Sequence, residues 1–429
     1  MICRLRLNPQ FPSRRVRPFL LLACLYGVVP PQARAQSAES EVRAVRAEPA
    51  KPIQSEPAKP EAGPGQEQQP KTEIEAGYDG GFYIRSKDAK FTIEGVLQMN
   101  AVVFEPGGPH ASEFVLRRIR PEFSGEFFDI WRFHIEPKFS SDGVELEEAW
   151  VGVQLKNHRF LFGRMKEPFS LEEMSSLRHM DMLDFSILNQ LVPAEDHGIT
   201  VLGTFDWLEY GVGFYNGTGG NDTTSDKDGA VRLVVHPRRG LQFGGAATFG
   251  RQDTDISGSE LRTEARVPWA EFVPGTAIDG GRVRWGAEAA FLEGPFAVTA
   301  ELMTIREKLN NTTVHVGGGY LEASYVLTGE DKTWSGVRPK RPFLRGPDWG
   351  AWQAVARWSR LKLNDEFVPF LTNFPGTIDS ITFGVNWYAN DHAKVKLNYL
   401  RTMYGQGITI NGVRHHNEDA LMVQYQIQF

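Results

Sequence analysis

Seven cationic side chains are the residues of this 429-residue chain best placed to do chemistry. Arg118 and Arg120 stand two apart in R-R-I-R-P-E (117–122), and Arg132 and Lys138 share a parity in W-R-F-H-I-E-P-K (131–138). Arg164, Lys166 and Arg178 follow in and after G-R-M-K-E-P-F-S-L-E-E-M (163–174), where the surrounding pattern breaks. Such groups attract anions: at about 4 Å and an effective dielectric near 20, a unit charge contributes roughly 4 kcal/mol. Arginine adds a planar fork that donates two parallel hydrogen bonds to phosphate. One or two cations make a binding site, whereas a ladder of weaker ones lets an ion move on. Catalytic patterns are missing. No Gly-x-Ser-x-Gly elbow or Ser/His/Asp grouping occurs, and Gly211-x-Gly213 lacks the third glycine and following helix of a dinucleotide loop. His415-His416 has no third ligand at metal-binding spacing, so neither a metal nor a cofactor is expected.

Cations matter only where something aims them at water, and here strands must do it. In A-L-M-V-Q-Y-Q-I-Q-F (420–429), Leu421, Val423, Tyr425, Ile427 and Phe429 oppose Met422, Gln424, Gln426 and Gln428. A period of two puts these sets on opposite faces of a β-strand. The same rhythm runs through Phe91–Val103, Trp131–Phe139, Val283–Phe291, Phe296–Leu302, Leu321–Leu327, Ile381–Trp387 and Val395–Tyr399. Arg118, Arg120, Arg132 and Lys138 fall on the polar parity. An Arg or Lys at a bilayer midplane costs about 2–4 kcal/mol, so the polar face must look inward on water. The expected fold is an all-β, transmembrane antiparallel β-barrel spanning 76–429, with about sixteen strands of roughly ten residues. Trp131, Trp207, Trp349, Trp352, Trp358, Tyr388 and Phe429 read as interfacial girdles. Short and long connections read as tight periplasmic turns alternating with longer outer loops.

The region from Gly163 to Ile199 is the exception. Ser170 and Glu173 form a capping box just after Pro168, which predicts a short helix starting near Leu171. Leu177, Met180, Met182, Leu183, Phe185, Ile187, Leu188 and Leu191 make the segment too apolar for a solvated loop. It is expected to fold into the barrel and narrow it, with Arg164, Lys166 and Arg178 at the constriction. The alternative is an outer loop that mediates subunit contacts.

Residues 1–35 carry Arg4, Arg6, Arg14, Arg15 and Arg17, an apolar run Phe19–Val29 and Ala33-Arg34-Ala35, the three parts of a secretory signal peptide. Both cysteines, Cys3 and Cys24, lie inside it. Residues 36–75 repeat E-P-A-K-P at 48–52 and 56–60 and hold no aromatics, the composition of a disordered periplasmic linker that could reach the cell wall. The formal net charge of −6 becomes more negative once the leader arginines are removed, which argues against nucleic acid as a partner. No apolar run approaches the roughly 20 residues of a transmembrane helix.

R-R-I-R-P-E-F-S-G (117–125), V-E-L-E-E-A-W-V (144–151), F-G-R-M-K-E-P-F-S-L-E-E (162–173), D-W-L-E-Y-G-V-G-F-Y-N-G (206–217), Y-V-L-T-G-E (325–330), R-P-K-R-P-F (338–343) and N-E-D-A-L-M-V-Q-Y-Q (417–426) resemble, in order, the phosphate-selective porin O/P family. That resemblance covers nearly all of 90–429. It implies a trimeric, sixteen-stranded outer-membrane channel with an inward-folded third loop, and inward arginines and lysines that guide small anions such as phosphate or polyphosphate. The inward parities also carry Glu94, Glu122, Glu136, Glu148, Glu288, Glu301 and Glu322, which can neutralise those cations. A general solute porin, an outer-membrane barrel hydrolase and a cell-wall anchor acting through 36–75 stand as alternatives.

Overall fold

The computed structural model describes residues 73–429, apart from 107, 109, 142, 194, 220–224, 345 and 346. The expected leader and all but the end of the expected linker lie outside the described residues. The linker's last position, Glu75, already belongs to a strand.

Its first two strands, β1 (Glu75–Tyr78) and β2 (Phe82–Arg85), form a hairpin. Nine long strands follow: β3 (Ala89–Phe104), β4 (Glu113–Phe127), β5 (Trp131–Ser140), β6 (Gly143–Leu155), β7 (His158–Met165), β8 (Asp196–Thr204), β9 (Leu208–Tyr215), β10 (Asp228–Arg238) and β11 (Leu241–Asp255). A small loop hairpin, β12 (Glu260–Arg262) and β13 (Pro268–Glu271), precedes β14 (Ala277–Glu293), β15 (Phe296–Leu309) and β16 (Thr312–Val326). A second one, β17 (Lys332–Thr333) and β18 (Gly336–Val337), precedes β19 (Ala351–Leu363), β20 (Thr377–Tyr388), β21 (Ala393–Ile410) and β22 (Val413–Gln428). Leaving out the three hairpins, each strand pairs antiparallel with the next, and β22 closes on β3 from Ala420↔Phe104 to Gln428↔Val96. The result is a closed barrel of sixteen strands.

At the seam, closure leaves the foot of β3 unpaired below the point where β22 ends. There the β1–β2 hairpin takes over, pairing Phe82↔Ile93 through Arg85↔Lys90. Covering the edge in this way shields the foot of β3 from pairing with another chain. Phe429 completes the seam through reciprocal backbone hydrogen bonds with Gly95.

The outward face is the apolar parity read from the sequence. Leu421, Tyr425 and Ile427 are exposed while Met422, Gln424 and Gln426 are buried inside. Leu302, midway along β15, is 66% exposed and flanked by Ala287 and Gly319. Leu302→Arg is therefore expected to destabilise the barrel by about 2–4 kcal/mol, read as a lowered midpoint of reversible unfolding in lipid. An unchanged midpoint would mean that this face does not meet hydrocarbon.

Most connections at the mouth bearing Phe429 are short, such as 156–157, 239–240 and 294–295, as periplasmic turns are. Two expectations need correction. The connection 327–350 lies at that mouth yet is long, and 310–311 and 411–412 at the opposite mouth are tight, so length does not simply alternate. Tyr388 is no girdle residue: it faces inward, 4% exposed, with its hydroxyl donating to Gln353 Oε1 at 2.7 Å. Trp352, Trp387 and Phe343 do cluster on the outside at that mouth.

Candidate functional site: a lumen narrowed by a folded-in loop

The segment 166–195 leaves β7 at the outer mouth and descends through the lumen. Its first turn is α1 (Leu171–Met174), capped by Ser170, whose hydroxyl accepts from Glu173 N at 3.2 Å. Only half of the expected capping box forms, because the Glu173 carboxylate instead accepts from Asn189 Nδ2 at 2.6 Å. The wall supplies the other partner: Glu301 on β15 accepts from Ser170 Oγ at 2.9 Å and from Leu171 N. Burial pushes the Glu172 carboxyl up to about 7 even though Arg357 opposes the shift.

Farther down, two arginines grip one carboxylate. A β-bulge opposite Gln98 and Met99 lets the consecutive Arg117 and Arg118 both reach inward, which regular alternation forbids. Arg117 holds Asp184 at 2.8 and 3.1 Å and Arg118 holds it at 3.1 Å. Burial alone would raise the Asp184 carboxyl, but Arg117, Arg118 and Arg266 win and keep it well below the usual range. Arg357 on β19 then bridges Glu172 at 3.1 Å, the Asp184 carbonyl at 3.0 Å and Glu264 of the 256–276 loop at 2.8 Å. Near the periplasmic mouth, Lys396 donates to Met182 O at 2.9 Å, Asn386 to Asp181 O at 2.8 Å and Lys332 to Asp181 Oδ1 at 2.7 Å. Apolar burial seals the same side: Phe169, Ile187, Leu188 and Leu191 pack with Trp269, Phe272, Phe367 and wall residues of β14–β16 and β19–β21.

That side keeps a small cavity of about 80 Å³ between the loop and β15–β16, and a larger space runs along β3 to β8. It holds a cavity of about 280 Å³ lined by Arg120, Glu122, His134, Glu136, Glu148, Trp150, Arg159, Lys166, Arg178 and Thr200. Arg178 reaches back from the loop to Glu94 at 2.7 Å and Glu122 at 2.6 Å. Arg120 pairs with Glu136, which also lies 3.4 Å from His134 Nε2.

Of the seven expected cations, three meet at this cavity: Arg120, Lys166 and Arg178. Arg118 is instead buried as part of the clamp on the loop. Arg132 faces inward beside Glu126 at 3.1 Å, and Lys138 is held by Glu145 and Glu147 at 2.7 Å each. Arg164 departs from expectation. It shares the outward parity of Phe160 and Phe162, and it donates to the carbonyls of Leu146 and Gly219, both at 2.8 Å. There it ties the top of β7 to its neighbours.

Sequence reasoning missed Arg159 and His134 on the cavity and Lys394 and Lys396 on β21. The signal for all four was present, since each alternates with outward apolar residues: Phe160 and Phe162, Phe133 and Ile135, Val395 and Leu397. Arg117 had no such signal, because a bulge cannot be read from alternation.

A closed antiparallel barrel, apolar outside and narrowed by a buried loop on a charged lumen, defines an outer-membrane porin. The chain belongs to the family described as Phosphate-selective porin O and P, whose profile matches residues 103–429. It is 25% identical over 399 residues to Porin O of Pseudomonas aeruginosa, a match covering 78% of this chain and 88% of that protein. Its fold resembles the anion-selective porin from Comamonas acidovorans, with a TM-score of 0.53 and 12% identity over 80% of this chain and all of that one. It also resembles OmpT of Vibrio cholerae, with a TM-score of 0.54 and 9% identity over 81% of this chain and all of that one.

Proposed function

We propose that the protein is a passive outer-membrane channel selective for small anions of the phosphate class. Two cations on the cavity carry the reading. Among the described residues Arg159 has no hydrogen bond or ion pair, and Lys166 gives its ammonium only to the Glu173 carbonyl at 2.7 Å. No carboxylate neutralises either by contact, so their charge is available to a passing solute. The acids Glu122 and Glu136 are meanwhile engaged by Arg178 and Arg120. Family membership and the fold shared with the anion-selective Comamonas porin support the same reading.

Reversal potentials in a salt gradient across a planar bilayer test it. Wild type is expected to prefer anions, with phosphate blocking chloride current. Arg159→Gln combined with Lys166→Gln should lower the anion-to-cation permeability ratio severalfold, since about 1.4 kcal/mol lost at the site is tenfold. Cation preference in wild type would refute the anion reading and leave a general porin. Three further elements complete the proposal: a homotrimer, export by the 1–35 leader, and wall contact through 36–75.

A further inference from the structure

We propose that Glu122, His134 and Glu136 form a binding site in the channel wall for a divalent transition-metal ion of the zinc class. One donor atom from each residue lies within 4.8 Å of the other two. His134 Nε2 and Glu136 Oε2 are 3.4 Å apart. That is the edge of a tetrahedron, about 3.3–3.4 Å, whose metal–ligand bonds are about 2.0–2.1 Å. A small rotation of Glu122 brings in the third donor. The strand register makes this possible, because the β4–β5 pairs Phe123↔Ile135 and Ser124↔His134 set Glu122 beside both partners on the inward parity.

The arginines nearby do not preclude an ion. Arg178 holds Glu122 through Oε1 at 2.6 Å, and Arg120 holds Glu136 through Oε1. Each carboxylate keeps its second oxygen for the metal. Ligating carboxylates are commonly hydrogen-bonded from behind in this manner, which fixes their orientation. The imidazole is fixed as well: its ring stacks on Trp150 with centroids 5.5 Å apart and planes at 19°. Trp150 is itself held by its indole N–H donating to Glu148 Oε2 at 3.2 Å. One imidazole and two carboxylates suit zinc and its neighbours better than they suit calcium or magnesium, which take oxygen ligands alone.

The remaining coordination positions open on the cavity, where water or a passing anion completes the shell. Arg120, Arg159, Lys166 and Arg178 line it with Glu122, Glu136 and Glu148, and Arg178 also pairs with Glu94, so an added divalent ion makes the local balance more positive. Loading the site therefore strengthens attraction for anions. The binding step itself holds whether or not the unloaded channel prefers them.

The full-length protein, folded in detergent, is titrated with zinc chloride alone. Wild type is expected to take up one more tightly bound zinc per chain than His134→Gln, with Glu122→Gln weakening that same equivalent at least tenfold. Crystals soaked with zinc should show an anomalous peak within bonding distance of His134 Nε2, a measurement that stands even if a variant fails to fold. In planar bilayers, zinc should shift the wild-type reversal potential toward anions and leave His134→Gln unmoved. Equal uptake by wild type and both variants, peaks only elsewhere, or a reversal potential indifferent to zinc would overturn the proposal.

Discussion

Asp184→Ala is expected to cost about 3–5 kcal/mol and to raise single-channel conductance severalfold, because one carboxylate holds the descending loop to the wall. Arg117, Arg118 and Asp184 have side chains 7%, 2% and 7% exposed, so the cluster is almost fully withdrawn from water. Breaking a buried ion pair by removing one partner leaves charge in a low-dielectric site, and that penalty exceeds the modest net worth of the pair itself. The cheapest relief is for the loop to lift away so that water reaches the guanidiniums. Lifting it opens the filled half of the lumen. Asp184→Asn separates charge from shape: it keeps the volume and one acceptor, so an intermediate loss identifies the ionic part. Unfolding midpoints and conductance measure the two consequences together. A variant with wild-type conductance and unchanged resistance to proteolysis between 177 and 192 would show that apolar packing alone holds the loop.

The alternation of apolar and polar residues made the barrel legible, because burial in lipid imposes one rule on every strand. The helix at Leu171 was legible for a similar reason: a cap is a local device, and Ser170 carries it in its own sequence. The role of Arg118 was not. Its parity correctly put it inside, but inside includes both the open channel and the face under the loop, and only the third dimension separates them. Arg164 failed differently. Near a strand end the lipid penalty fades, so a cation tolerated on the outward parity looks the same in sequence as one placed to meet a solute. Arg159 and Lys394 are the converse case, for the alternation alone marks both as inward-facing.

Raising the pH from about 7 to 8 should loosen the root of the loop by about 1 kcal/mol through Glu167, and Glu167→Gln should remove that share of the slope. Glu167 is 3% exposed, and its Oε2 has no hydrogen-bond partner. Burial pushes its carboxyl up to about 8, with Arg284 and Arg282 lowering it and Asp228 and Asp196 raising it. The docked loop therefore keeps Glu167 protonated at neutral pH, whereas the undocked loop ionises it near its ordinary value of 4.5. An acid whose value is raised on docking favours the docked state most below that ordinary value. The advantage then erodes by about 1.4 kcal/mol per pH unit until the docked group also ionises, near 8. Glu172, pushed to about 7, adds the same sign only up to that pH. His179 has the opposite sign: burial drives its imidazole down to about 4, so docking gains as pH rises from 4 toward its ordinary 6.5 and is indifferent above. Asp184, held low, stays ionised throughout. Between pH 7 and 8 the difference between wild type and Glu167→Gln thus isolates one carboxyl. It is read as the fraction of time a single channel spends in its high-conductance state, which should climb about fivefold more in wild type than in Glu167→Gln across that unit. If both proteins show the same dependence, Glu167 is not the group that loosens the loop.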